Sequence, residues 1–277
     1  MRASNLIVVA LGVIGIIYGL MVSWKWRDEP LRYTPPVAAE LEGFARLRQS
    51  ARVVGAAVAA GAISGVLVIG LVGRLVMRIL AATSGSAQGL LTEADETVGE
   101  ITSSGTIGFI IFVGLGGGIV IATGYLFIRS WLPAKAGAAG LVMGVLSIGT
   151  LGVADALSPD NTDFAILSPL WLAMLLLFAT GLLFATTFTA LASRLDKFAQ
   201  TPGRGRALLY SVLITGAIPP IGVALVAQIA LRTFASEKFF AAVRGARSRT
   251  VGHIVVAAGT AVTAFLAGQA AVEILTA

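Results

Sequence analysis

Long apolar runs alternate along the chain with short polar connections, and the runs dominate. A hydrocarbon core is crossed by about 20 apolar residues in one helix. Stretches of that kind lie near residues 6–24, 53–80, 106–128, 136–154, 167–191, 207–231 and 253–275. The pattern predicts an all-α, polytopic transmembrane helix bundle of about seven segments. Residues 1–277 then form a single integral membrane domain with no soluble domain, because even the longest connection, Lys25 to Arg52, is too short for one. Met1-Arg2 before the first run resembles a secretory leader. The run is too long for that, and Trp24-Lys25-Trp26-Arg27 stands where a cleavage site belongs, so a retained helix with an aromatic and basic anchor is expected.

The connections give an orientation. Lys25, Arg27, Arg32, Arg46, Arg48 and Arg52 follow segment one, Arg129 and Lys135 follow segment three, and Arg194, Lys197, Arg204 and Arg206 follow segment five. The loops after segments two and four carry no Lys or Arg between them. The positive-inside bias puts the loops after segments one, three and five in the cytoplasm and the N-terminus outside. Loop six departs from this alternation, since Arg232, Lys238, Arg244, Arg247 and Arg249 fall outside if segment six crosses once. That segment contains Gly216-Ala217-Ile218-Pro219-Pro220-Ile221-Gly222, and paired prolines break a helix by removing donors and clashing with the preceding turn. The expectation is a kinked segment that crosses once. The alternative is a re-entrant pair of half-helices that returns loop six to the cytoplasm.

Three connections have a texture of their own. Pro36 to Arg52 and Leu231 to Val243 space apolar residues among charges as interfacial amphipathic helices do. Leu90 to Glu93 and Thr97 to Thr102 flank Ala94-Asp95-Glu96 as the arms of a small hairpin would.

Composition narrows the chemistry. The chain is 57% hydrophobic and only 12% charged, and its formal charge of +6 is explained by basic loops meeting anionic headgroups rather than nucleic acid. Cysteine is absent and His253 is the one histidine, which argues against iron–sulfur, covalent haem and multi-histidine zinc chemistry. No Walker-type phosphate loop occurs, and no cofactor or metal is expected. Glycine is frequent inside the runs, as at Gly12, Gly15 and Gly19 or Gly114, Gly116, Gly117 and Gly118. Small residues at this spacing let helices approach closely in lipid.

The candidate polar cluster begins with Arg74 and Arg78, which share a helix face near the outer end of segment two. Snorkelling to headgroups or pairing with outer acidic loops is the structural reading; recognition of an anionic head or substrate is the functional one. The acidic loops supply Glu93, Asp95, Glu96 and Glu100, then Asp155, Asp160 and Asp163. They lack EF-hand spacing, so solvated loops are expected rather than a calcium site. Pro219 and Pro220 form a second candidate as a helix break, with Gln228 the nearest strong hydrogen-bonding side chain. Thr186, Thr187, Thr189, Thr260, Thr263 and Gln269 could line a polar path, but threonines in membrane helices mostly bond their own backbone or a neighbouring helix, and His253 and Glu273 lie too far apart for a dyad.

The Ala, Gly, Val and Arg bias matches multi-pass proteins of the bacterial plasma (inner) membrane. No positioned nucleophile or base is visible, so the expectation is not an enzyme. It is a non-enzymatic scaffold or accessory subunit, partnered by the bilayer and by other membrane subunits or copies of itself. The alternative is a small permease or channel for a small or anionic solute.

Overall fold

The computed structural model describes residues 3–31, 44–93, 96–158, 160–199, 219–234 and 246–276. Seven helical elements account for most of them, and among the described residues there is no β-strand. α1 is Ala3–Lys25. α2 is continuous from Phe44–Ser64 through a π-helical stretch, Gly65–Val72, into Gly73–Thr83. α3 repeats that plan, with Ser103–Phe109, the π-helical Ile110–Gly116 and Gly117–Ile128. α4 is Ala136–Ser147 continued by Ile148–Gly152, α5 is Leu170–Ala199, α6 is Pro219–Phe234 and α7 is Ala246–Thr276. Five helices, α1, α2, α3, α5 and α7, are long and apolar enough to cross a membrane, and Ala136–Gly152 is a shorter apolar helix. This is an all-α bundle of a multi-pass membrane protein.

α2 is the axis of the bundle. Two thirds of its apolar window, 67%, is buried, against 28% for α1 and 22% for α7. Its crossing with α3 is made by glycine on glycine. A Cβ on Gly61 would overlap the Gly118 carbonyl, and one on Gly65 would overlap that of Gly114. Both helices thus present Gly-x-x-x-Gly to one another, which brings the backbones into dispersion contact without a side-chain layer. Nearer the basic loops, Tyr125 of α3 meets Phe188 of α5 edge-on at 5.1 Å, and Phe188 stacks on Phe184 at 6.0 Å. The sequence places the second segment at 53–80, but the helix starts at Phe44 without a break, so 44–52 of the expected amphipathic segment are its first turns. The rest of that segment and most of Leu231 to Val243 lie outside the described residues.

Both ends of the bundle can be identified by contact. At one end, Arg27, Asp28 and Glu29 after α1 meet Lys135 before α4 and Arg194 and Lys197 late in α5. The backbone completes this junction: Arg27 O and Glu29 O accept from Gly137 N (2.8 Å) and Ala136 N (3.0 Å), and Ala134 O accepts from Leu31 N (2.7 Å). Those two carbonyls satisfy first-turn donors of α4 that no side chain caps. At the other end, Ser84 after α2 exchanges hydrogen bonds with Ser168 before α5, at 3.0 and 2.7 Å.

α7 begins at the basic end. Gly252 packs on Trp131 of the α3–α4 turn, Gly259 on Leu146 and Gly149 on Thr263, so α7 runs parallel to α4. α5 finishes at that same end, where Asp196 meets Arg129. A single crossing between α5 and α7 would put the start of α7 at the opposite end. Most of the chain between α5 and α7, residues 200–218 and 235–245, lies outside the described residues, and the expected kinked crossing falls largely on that stretch.

Candidate functional site

At the end away from the basic loops, Thr102 caps α3 by accepting from Gly105 N at 3.1 Å. Glu96 lies against this first turn, where its Oε2 accepts from the Thr102 hydroxyl at 3.5 Å and a carboxylate is favoured by the helix dipole. The predicted small hairpin is present in minimal form: Leu91 and Thr97 make one antiparallel bridge, and Val98 N donates to Leu90 O at 2.9 Å. Gly89 and Gly99 bound it with φ of 83° and 90°, left-handed values that only glycine adopts without cost. That turn aims the Gly99 carbonyl at α2.

Arg78 uses it, donating from Nη1 to Gly99 O at 3.1 Å. Arg74 donates from Nη2 to Thr106 Oγ1 at 3.0 Å and from Nη1 to Met77 Sδ at 3.5 Å, with Phe109 5.5 Å from its Cζ. Both arginines are half-buried. Among the described residues neither has a carboxylate within salt-bridge distance, although several surround this end. Asp163 is occupied elsewhere: its Oδ1 accepts from Glu93 N at 2.8 Å, tying the loop after α4 to the loop after α2. The side chains of Glu93, Asp155 and Asp160 are exposed and do not converge. Asp95 lies outside the described residues. Among those described, no group of three His, Asp or Glu is placed to hold a metal ion.

Pro219 and Pro220 open the described part of α6, and the residues before them lie outside the described ones. This helix packs on Phe44–Ser64 and Gly117–Ile128, the basic-end halves of α2 and α3, with Leu225 and Gln228 buried. It stands apart from the Arg74 and Arg78 cluster.

The sequence reading missed the deepest charges. Arg129, just after α3, donates to Asp196 of α5 at 2.9 Å, and the two side chains are only 15% and 7% exposed. Asp196 Oδ1 has no partner, and the Tyr125 ring lies 5.9 Å from the guanidinium. Burial works against the charged form of Arg129, but Tyr125 and Asp196 outweigh it, so its pKa is raised. Asp196 stands between Leu195 and Lys197 at the end of a long apolar run, where a lone carboxylate reads as part of a basic loop.

Within the spans the threonines are consumed by their own helices. Thr123, Thr150, Thr180, Thr260 and Thr263 donate to carbonyls four residues back, at 2.6 to 2.9 Å. On α5, Thr187 also reaches Gly19 O at 3.2 Å and Thr189 reaches Ala136 O at 2.9 Å, stitching α5 to α1 and α4. A groove of about 260 Å³ between α1, α2 and α5 is walled by apolar residues such as Leu20, Leu75, Ile79, Leu176 and Leu183. Thr180 is its one polar wall residue, and its hydroxyl is already bonded.

These features define a polytopic helical membrane protein whose interior is mostly apolar, with a few buried hydroxyls and Gln228. No family model, curated protein or solved structure matches the chain.

Proposed function

We propose that the protein is a non-enzymatic membrane scaffold or accessory subunit, held in the bilayer and docking other membrane subunits or copies of itself. The observation that carries this reading is the state of the span hydroxyls. Thr123, Thr150, Thr180, Thr260 and Thr263 all donate to their own backbone, so each has only acceptor lone pairs left for a passing solute, and Ser64 Oγ, an unpartnered span hydroxyl among the described residues, is fully buried. The groove is equally apolar. Helices α1 and α7, less than a third buried, present rows of exposed apolar side chains such as Ile14, Ile17, Val255, Val262 and Phe265. Lipid or a partner helix fits such faces. In this reading the membrane is a bacterial plasma membrane, the basic end faces the cytoplasm and the N-terminus lies outside, supported by the gathering of Lys25, Lys135, Arg194, Lys197 and the start of α7 at one end.

One observation favours the second reading, a small permease for a small or anionic solute. α5 ends and α7 begins at the same end of the bundle, and between them Pro219-Pro220 opens a helix with a buried Gln228. Helices broken within the membrane line solute sites in transporters, and paired prolines are a sequence in which such a break can form. Flux separates the readings. Proteoliposomes loaded with small anions, cations and neutral solutes should leak no faster than empty liposomes; selective flux lost on changing Gln228→Leu would overturn the scaffold reading.

A further inference from the structure

We infer that Arg74 and Arg78 form a receptor for the phosphate of an anionic lipid, at the end of the bundle opposite the basic loops. The inference is independent of whether the protein is a scaffold or a permease. Each guanidinium carries five N–H donors in a planar fork suited to phosphate oxygens. The contacts in hand are Nη2 to Thr106 Oγ1, Nη1 to Met77 Sδ and, from Arg78, Nη1 to Gly99 O. Two of these acceptors are neutral oxygens and the third is a weak thioether, so the positive charges stay uncompensated at contact distance. The nearby carboxylates make no direct contact with them: Glu96, on the first turn of α3 with Thr102, acts on Arg74 only through space, and Asp163 binds Glu93 N. At the basic end the corresponding cations are matched, Arg129 by Asp196, Lys135 by Asp28, and Arg194 and Lys197 by Glu29.

Position selects the source of the phosphate. Arg78 and Arg74 precede the end of α2 at Thr83 by about one and a half and two and a half turns, the depth range from which arginine reaches the headgroup plane. Beside them, the apolar Met77 and Ile107 are 44% and 57% exposed, a surface suited to acyl chains rather than to water. A free phosphate ion would have to leave water to reach it. A lipid phosphate is delivered by its own chains.

The test reads thermal unfolding of the purified full-length protein in micelles of phosphatidylcholine alone, phosphatidylcholine with phosphatidylglycerol, or phosphatidylcholine with inorganic phosphate. Native mass spectrometry of the same samples counts retained lipid. Phosphatidylglycerol should raise the midpoint and be retained over phosphatidylcholine, whereas inorganic phosphate should do neither. Arg74→Gln with Arg78→Gln should lower phosphatidylglycerol retention by about fivefold per arginine, the factor equivalent to about 1 kcal/mol for each charge at the surface. Equal retention of the two lipids by the unaltered protein overturns the proposal without recourse to a variant. So does undiminished retention by the double variant, and stabilisation by inorganic phosphate as large as that by the lipid overturns the lipid as the source.

Discussion

Replacing Arg129 by methionine should be among the most damaging single changes in the bundle. Its guanidinium and the Asp196 carboxylate are 85% and 93% removed from solvent, as exposures of 15% and 7% imply, and lie 2.9 Å apart. Arg129→Met keeps most of the apolar stem but leaves a buried carboxylate with neither oxygen paired, since Oδ1 has no partner even in the intact protein. Breaking one side of a buried pair costs about 3–5 kcal/mol. The bundle end admits some water to the arginine, so the lower limit applies, about 3 kcal/mol, or roughly a hundredfold in the folding equilibrium. Replacing both partners removes the unpaired charge: Arg129→Met with Asp196→Leu should recover most of the loss, because well-packed apolar replacements of buried pairs are often neutral or better. Reversible unfolding in mixed detergent micelles of the protein, the two single variants and the double variant gives the coupling energy directly. If the two losses simply add, the pair is not a coupled unit and the reasoning fails.

Other consequences follow from contacts at single residues. Gly118→Leu should prevent the α2–α3 crossing and sharply reduce folded protein, whereas Gly117→Ala, next to it and facing open space, should be neutral or slightly stabilising; size-exclusion recovery compares them. Because the chain contains no cysteine, single cysteines report sidedness cleanly. Lys135→Cys and Ser248→Cys should label from the same side of sealed vesicles and Thr276→Cys from the other. The Asp28 carboxyl is held below its ordinary value, first by its hydrogen bond to Lys135 and then by that to Arg27. A depressed folded pKa means that the tie is fully present above the ordinary carboxylate value, about 3.9, and lost as pH falls through the folded value. The protection of Leu31 and Ala136 against hydrogen exchange, taken relative to the intrinsic rate at each pH, should therefore fall on acidification below about pH 4, and Lys135→Ala should weaken that dependence.

Most of the architecture was legible because lipid permits so few solutions. Apolar length alone marked α1, α3, α5 and α7, and Gly114 to Gly118 announced a close crossing whose partner, Gly61 and Gly65, became visible only in three dimensions. Arg247 and Arg249 stand at the start of α7, which packs at the basic end beside Trp131. π-Helical stretches such as Gly65–Val72 escaped notice because a shift from four- to five-residue hydrogen bonding leaves no mark on an all-apolar sequence. For the polar residues, one-dimensional proximity misled. Arg74 and Arg78 lie near many carboxylates in the chain but bind Thr106 and Gly99 O, while Arg129 and Asp196, far apart in sequence, make the buried pair.

Native mass spectrometry of the protein extracted gently from its own membrane tests the scaffold reading most directly, since it reports partner, copy number and retained ligand in one spectrum. The account predicts a stoichiometric complex with a second membrane subunit or with further copies of the chain, carrying lipid but no other small molecule. A lone monomer that retains a defined non-lipid solute, lost on changing Gln228→Leu, would contradict it.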